Sequence, residues 1–392
     1  MIDRRLFEHF DWPLVWTTLA LMTFGLVNLF AATATPGEMA FSHHFKMQAG
    51  YAVLGLVIMA LMVVIDYRVL ERLAYPIYFV AVGLLILVKV IGVVRGGAQG
   101  WIPIGPVNFQ PIESAKIAVV LALAKWFHDH PALHGYRLWE LIGPVVIVGI
   151  PVGLVVVQPD LGGAMLLLLM MGAIFLFVRI ETWTLGLGAT AALIGAPVAY
   201  FVALSPYQQD RIRVFLNPAI DPRGKGYNTI QSKIAIGAGE FLGRGWNNGT
   251  QSKLRFLPAH HTDFIFSVLA EEWGFVGSTF ALGLFFLFLF FALRTARRSK
   301  ERFGALVSFG LASMFFWQIF VNIGGALGLL PVTGVTLPFF SYGGSALLMN
   351  FVAVGLMLNI GMRPSAWRRI ASATANPQCA DQSCKSVAAA PP

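Results

Sequence analysis

The chain has 392 residues, 57% of them hydrophobic and 12% charged, with a mean hydropathy of +0.71. Soluble domains carry about 25% charged residues, so a water-soluble globule is excluded and a polytopic membrane protein is indicated. The formal charge of +9 gives no case for nucleic-acid binding, because in a membrane protein the cations must first be sorted by side of the bilayer.

Arg4 and Arg5 followed by an apolar run and Ala-Ala-Thr-Ala-Thr imitate a secretory signal. The run from Pro13 to Ala32 is too long for one, since about 20 apolar residues span the hydrocarbon core. It reads as a retained first helix. Apolar segments of spanning length lie at 13–33, 47–65, 73–94, 110–127, 139–157, 161–178, 184–204, 264–293, 304–326 and 344–362. Ten spans put both termini on one side.

With the N-terminus inside, the short cytoplasmic connections hold Arg4, Arg5, Arg68, Arg72, Arg137, Arg179, Arg294, Arg297, Arg298, Lys300, Arg302, Arg363, Arg368 and Arg369, and the short outer ones only Lys46 and Arg95. That asymmetry places the long segment Ser205–Thr262 outside. The weakest boundary is Gln158-Pro159-Asp160, where two spans merged into one would put the long segment inside and move the basic runs 294–302 and 363–369 outside. No inverted repeat is visible. The tail 365–392, with Cys379 and Cys384 in an Ala, Ser and Pro background, has no metal-binding spacing and a disordered composition.

The segment Ser205–Thr262 carries Arg211, Arg213, Arg223, Lys225, Lys233, Arg244, Lys253 and Arg255 against Asp210, Asp221 and Glu240. A basic, glycine-rich segment between spans suits an anionic ligand at a membrane surface, where freed backbone N–H groups and cations share diphosphate oxygens. The run Asp263–Leu293 would be roughly 46 Å long as one helix, beyond a core of about 30 Å. A break at Gly274 or Gly277 is expected, with a short helix 263–273 capped by Thr262 or Asp263.

Ionisable residues at membrane depth face cavities or partners. Here they are Lys89, Glu113, Lys116, Glu271 and Glu272, with Asp160 and Asp263 at outer edges. Glu113 and Lys116 share a helix face at i, i+3 and either line a cavity or only neutralise each other. Lys89, near a helix end, is better read as snorkelling. The run His260-His261-Thr262-Asp263 invites a metal, but His43 and His44 are the other outer histidines and zinc needs a fuller set. A Mg²⁺ or Mn²⁺ ion shared by Asp263 and a substrate diphosphate fits better; the bland alternative is that Asp263 is a helix cap. Gly237, Gly239, Gly243 and Gly245 match neither the dinucleotide nor the P-loop spacing.

The stretches 96–120 (GGAQGWIPIGPVNFQPIESAKIAVV), 158–166 (QPDLGGAML), 217–278 and 328–350 (GLLPVTGVTLPFFSYGGSALLMN) closely resemble the SEDS family of shape, elongation, division and sporulation proteins, its rod-shape branch rather than its division branch. The resemblance covers residues 1 to about 364. It implies an all-α fold of ten transmembrane helices, with the large extracytoplasmic loop between the seventh and eighth, in the bacterial cytoplasmic membrane. It also implies a peptidoglycan glycosyltransferase that polymerises lipid II, a class B penicillin-binding protein as transpeptidase partner, and no organic cofactor. Asp263 matches the family's essential aspartate, Glu113 and Lys116 its cavity pair, and Trp101 and Gln110 lie in the same cavity motif. Ala259 and His260 depart from the family pattern.

Transfer of an α-linked glycosyl diphosphate to a sugar hydroxyl with inversion needs one general base and stabilisation of the leaving diphosphate. Asp263 is the expected base; Arg211, Lys233, Arg244, Lys253 and Arg255 are the unranked diphosphate candidates. The competing readings are a lipid II flippase, which translocation in vesicles would reveal, and a scaffold for the transpeptidase, which would leave the buried charges unexplained.

Overall fold

The computed structural model describes residues 10–34, 41–95, 98–105, 107–132, 135–202, 206–217, 220–221, 225–253, 256–257, 259–299 and 301–363. Arg4, Arg5, Arg223, Arg255, Lys300, Arg368, Arg369 and the tail 365–392 lie outside the described residues. The helices are α1 (Trp12–Thr33), α2 (His43–Val64), α3 (Tyr67–Ile91), α4 (Pro111–Asp129), α5 (Ile142–Val157), α6 (Leu161–Phe177) and α7 (Thr182–Val202). Then come α8 (Pro206–Leu216), α9 (Lys225–Ala238), the single turn α10 (Thr250–Lys253), α11 (Ile265–Arg298), α12 (Arg302–Ala326) and α13 (Gly344–Met362).

Each of the ten expected spans falls on a helix. Among the described residues eight helices are long and apolar enough to cross a bilayer. The other two are α6, with 17 residues, and α4, which carries Glu113, Lys116, Lys125 and Asp129, so length and composition alone do not settle a count of ten. The doubtful boundary is a turn: α5 ends at Val157, and Asp160 caps α6 by accepting the Gly163 N–H at 2.9 Å.

The core is built where α2 packs on α13, α3 on α4, α11 on α1 and α12, and α12 on α4. Between α3 and α4 lies a small antiparallel sheet absent from the sequence reading: β1 (Val93–Arg95), β2 (Ala98–Ile104) and β3 (Val107–Phe109), in that order. Its register pairs Val93 with Trp101 and Ile102 with Phe109. Ser345 seats it on α13 by donating to the Asn108 carbonyl at 2.9 Å and accepting the Gln110 N–H at 3.2 Å.

The basic residues assigned to one side do gather at one end of the bundle. Arg68 pairs with Glu301 at 2.9 Å, Arg137 with Glu181 at 3.1 Å, and Arg363 with Asp66, while Arg302 donates to the Tyr136 hydroxyl at 2.7 Å. Lys89, at the other end, donates to the Val157 carbonyl at 3.0 Å and joins no ionic cluster, as a snorkelling residue should.

The break in α11 falls at Gly274, with φ +63° and ψ −157°, while Gly277 stays helical. The turn after α9 repairs it. Phe275 and Val276, the first residues of the second half, donate to the Glu240 and Phe241 carbonyls at 3.0 and 3.2 Å. Arg244 and Gly245 donate in return to the Glu271 and Glu272 carbonyls of the first half, both at 3.0 Å. Orphan groups on both sides of a broken membrane helix are thereby satisfied. This backbone contact explains Gly239 and Gly243, two members of the glycine cluster that matched no nucleotide motif. A Cβ on Gly239 or Gly243 would overlap the Ala270 or Glu272 carbonyl oxygen.

The expected cap is not the observed one. Neither Thr262 nor Asp263 caps α11; Phe264 stands at its N-cap with no side-chain bond. The reason is a tight turn at 259–264, in which Thr262 and Asp263 both donate their N–H to the Ala259 carbonyl at 3.1 Å, so the helix starts one residue later than a cap at 263 would allow.

Candidate active site

Asp263 lies at the entry to α11, partly exposed, between segments that are distant in sequence. Burial raises its carboxyl from the ordinary range to about 6; a hydrogen bond with the Thr262 side chain and the charge of Arg211 oppose that rise. A carboxylate ionising there is matched to general-base work near neutral pH. The same Arg211, on α8, acts on Asp160, whose carboxyl burial also raises. Asp160 in turn feels Glu113 unfavourably and Lys116 favourably. One electrostatic neighbourhood therefore runs from Asp263 through Arg211 and Asp160 to the pair on α4.

That pair is direct: Lys116 Nζ stands 2.7 Å from Glu113 Oε2, with side chains 2% and 9% exposed. The pair is buried and mutually neutralising, and its charges act on the Asp160 carboxylate. A buried pair adds little net stability over apolar packing, so its energetic yield alone does not explain it. Gln110, half-buried, stands at the N-cap of α4, three residues before Glu113, and Trp101, half-buried, sits on β2.

Of the diphosphate candidates, Arg211 is the one among the described residues whose charge acts on Asp263. Lys233, exposed on α9, lies against Gly328 at the end of α12. Arg244 donates to the Ala238 carbonyl at 3.1 Å and to Thr250 Oγ1 at 3.4 Å. Lys253 donates to the Asn247 carbonyl and acts on Glu272. Arg255 lies outside the described residues.

Glu271, fully buried, accepts the Thr250 N–H at 2.6 Å, its hydroxyl at 3.0 Å and the Gln251 N–H at 2.9 Å, all on Oε1. Glu272 Oε2 accepts the Asn247 N–H at 3.1 Å. These two carboxylates fasten the 244–253 segment to α11.

Among the described residues of the 205–262 segment is a packed helix, α9, that the sequence reading did not place. Ser232 and Ala235 in α9, with Gly239 just past its end, are buried at helical spacing, and Ser232 donates to the Ala326 carbonyl at 2.6 Å while sharing a 2.7 Å bond with Ser267. That small-residue stripe was the available signal for a packed helix. A second missed group is a ring cluster beside Asp263. His44 lies 4.9 Å, centroid to centroid, from both His261 and Tyr342, and His260 lies 5.2 Å from His261. Burial, with His260 and His44 nearby, lowers His261 to about 4. It is therefore neutral at pH 7 and is not a diphosphate cation. Among the described residues no group of three or more His, Cys, Asp or Glu could hold a metal.

Comparison with known proteins bears on this arrangement. The model of the family described as cell cycle protein FTSW_RODA_SPOVE matches residues 12–365. The chain is 40% identical over 357 residues to the peptidoglycan glycosyltransferase MrdB of Escherichia coli strain K12, covering 90% of this chain and 93% of that one. It is 38% identical over 362 residues to a probable peptidoglycan glycosyltransferase FtsW of Trichlorobacter lovleyi, covering 91% and 94%. Among solved structures it is similar to a chain of a peptidoglycan synthase complex studied for the coordination of polymerization and crosslinking, with TM-score 0.77, 38% identity and coverage of 90% and 97%. It is also similar to the rod shape determining protein RodA of Thermus thermophilus, with TM-score 0.66, 33% identity and coverage of 90% and 96%. The chain is a multi-pass membrane protein and belongs to the FtsW, RodA and SpoVE family, the SEDS proteins of shape, elongation, division and sporulation.

Proposed function

We infer that this protein is a peptidoglycan glycosyltransferase, polymerising lipid II into β(1→4) glycan strands during cell elongation. The observation that carries the reading is Asp263: a carboxyl ionising near 6, sharing Arg211 with Asp160, at the entry to a broken membrane helix. The names of similar proteins point the same way.

Asp263 removes the proton from the acceptor sugar's 4-hydroxyl as that oxygen attacks the anomeric carbon. The bond from that carbon to the diphosphate oxygen breaks on the opposite face. The configuration inverts, polyprenyl diphosphate leaves with the bonding pair, and the proton stays on Asp263 until solvent takes it. Arg211 is the cation placed to offset charge on the leaving diphosphate. The Glu113–Lys116 pair and Asp160 belong to the same electrostatic neighbourhood and are our candidates for the substrate cavity.

A resident metal does not fit the donor set, which offers Asp263 beside a guanidinium rather than beside further carboxylates. A Mg²⁺ or Mn²⁺ ion fits as one shared with the substrate diphosphate, to which Asp263 would add one oxygen.

The protein resides in the bacterial cytoplasmic membrane with both termini inside and the loop 205–262 outside. The gathering of Arg68, Arg137, Arg302 and Arg363 at the end opposite Asp263 supports this orientation. Its partner is a class B penicillin-binding protein, in keeping with the synthase complex to which the fold is similar. Purified protein with that partner, lipid II and a divalent cation should give glycan chains that vanish in Asp263→Asn. Retained polymer in the variant would overturn the assignment of the base. Lipid transport across vesicle membranes with no polymer under any condition would favour the flippase.

A further inference from the structure

Three successive peptide carbonyls lead into the catalytic turn, and each is held by a different group. The His261 carbonyl accepts the Tyr342 N–H at 2.9 Å, the Thr262 carbonyl accepts the Ser341 hydroxyl at 2.6 Å, and the Asp263 carbonyl accepts the Asn322 side-chain amide at 3.2 Å. Asn322 is 5% exposed and lies on α12; its nitrogen donates also to the Val335 carbonyl at 2.7 Å. Because both partners are carbonyls, the nitrogen and not the oxygen must face them, which fixes the amide's orientation. Ser341 is fixed in the same way. Its hydroxyl accepts the Leu337 N–H at 2.9 Å, which leaves its one proton for Thr262. Gln48, on α2, anchors the far side by donating to the Ser341 carbonyl at 3.1 Å and accepting the Gly343 N–H at 3.2 Å.

We propose that Asn322 and Ser341 are positioning residues for Asp263: they clamp the backbone of residues 262 and 263 between α12 and the segment 331–343, and so set where the carboxylate meets the acceptor hydroxyl. This rests on the reading of Asp263 as the general base. The geometry favours a positioning role over simple packing. Thr262 and Asp263 precede α11, so no helical ladder fixes their carbonyls, and the bonds to these carbonyls come from buried side chains of two other elements. The sequence expectation treated the motif around 331–345 as a family marker without a task; the clamp gives it one.

The test is steady-state polymerisation of lipid II by the full chain with its transpeptidase partner, comparing Asn322→Leu, Asn322→Asp and Ser341→Ala with wild type and Asp263→Asn. A displaced reacting group loses up to about 100-fold in rate. Each clamp variant should therefore lower kcat about 10- to 100-fold with KM within about two-fold of wild type, at temperatures where the variant stays folded by thermal scan. Asn322→Asp keeps the shape but offers at most one proton for two carbonyls, so it too should lower kcat. Wild-type kcat in the clamp variants, with Asp263→Asn inactive, overturns the clamp and leaves the base in place. So does a loss that appears in KM or in folded fraction rather than in kcat. Turnover retained by Asp263→Asn overturns the base, and the clamp with it.

Discussion

Gly274→Ala tests the joint on which the geometry of the site depends. The residue sits at φ +63° and ψ −157°, a region open essentially to glycine alone and worth about 1–3 kcal/mol of strain for other residues. An added Cβ would overlap the Gly243 amide nitrogen and lie 2.8 Å from both the Gly239 oxygen and the Leu242 carbonyl carbon. These are backbone atoms on the opposite side of the joint, so relief requires the 239–245 turn to move. Four hydrogen bonds of 3.0 to 3.2 Å cross there. Losing two of them at about 0.5–1.5 kcal/mol each brings the total to roughly 2–6 kcal/mol. That is a large share of an ordinary folding free energy of about 5–15 kcal/mol. Thermal unfolding in detergent should show a Tm lowered by roughly 2–7 °C, with polymerisation reduced in the fraction that stays folded. Gly283→Ala is the matched control. It lies in the same helix with nothing near its Cβ position, and alanine there should be neutral or stabilising by about 1 kcal/mol. Wild-type Tm and activity in Gly274→Ala would refute the argument that this glycine is required by the joint.

Polymerisation should rise with pH through about 6 as Asp263 ionises, and kcat measured from pH 5 to 8 should trace that limb. The folded carboxyl ionises above its unfolded value of about 3.8, so the native state holds the extra proton between the two values and stability falls as pH rises through that window. Asp263→Asn removes this penalty and should raise stability at pH 7 by roughly 1–2 kcal/mol, allowing for the carboxyl's residual solvent contact. Lys116→Met leaves Glu113 buried without its partner and should cost about 3–5 kcal/mol; adding Glu113→Gln should restore most of the stability and none of the activity, by thermal unfolding and polymer assay. Glu271→Gln keeps an acceptor for Thr250 and Gln251 and should retain loop structure, whereas Glu271→Ala strands three donors and should expose the 244–253 segment to limited proteolysis.

The membrane class, the spans and the one-ended basic residues were legible because lipid imposes a coarse rule on length and charge, and each such reading fell on a helix. Asp263, Glu113 and Lys116 were legible because an ionisable group in an apolar run stands out. The break in α11 followed from arithmetic on its length, and glycine decided its position. Other features depended on contacts across hundreds of residues and left only faint local traces. Arg211 differs from Arg244 and Lys253 by where α8 folds back, and nothing in its neighbours tells that. Asp160 was visible as an edge carboxylate, but its link to Glu113 and Lys116 required α4 and α6 to be neighbours. The small sheet at 93–109 hides in a stretch too short and too rich in glycine and proline to show alternation.

Gly25, on α1, has the Phe339 carbonyl oxygen pressed where a side chain would begin, and Phe339 is itself held at φ +64°. Two residues further on, Ser341 grips Thr262. The smallest side chain in the first helix thus sets how far the 337–343 segment can retreat toward α1, and through it the height at which Asp263 stands. A methyl group added at position 25 would therefore be felt at the Asp263 carboxyl, an element and a half-turn of backbone away.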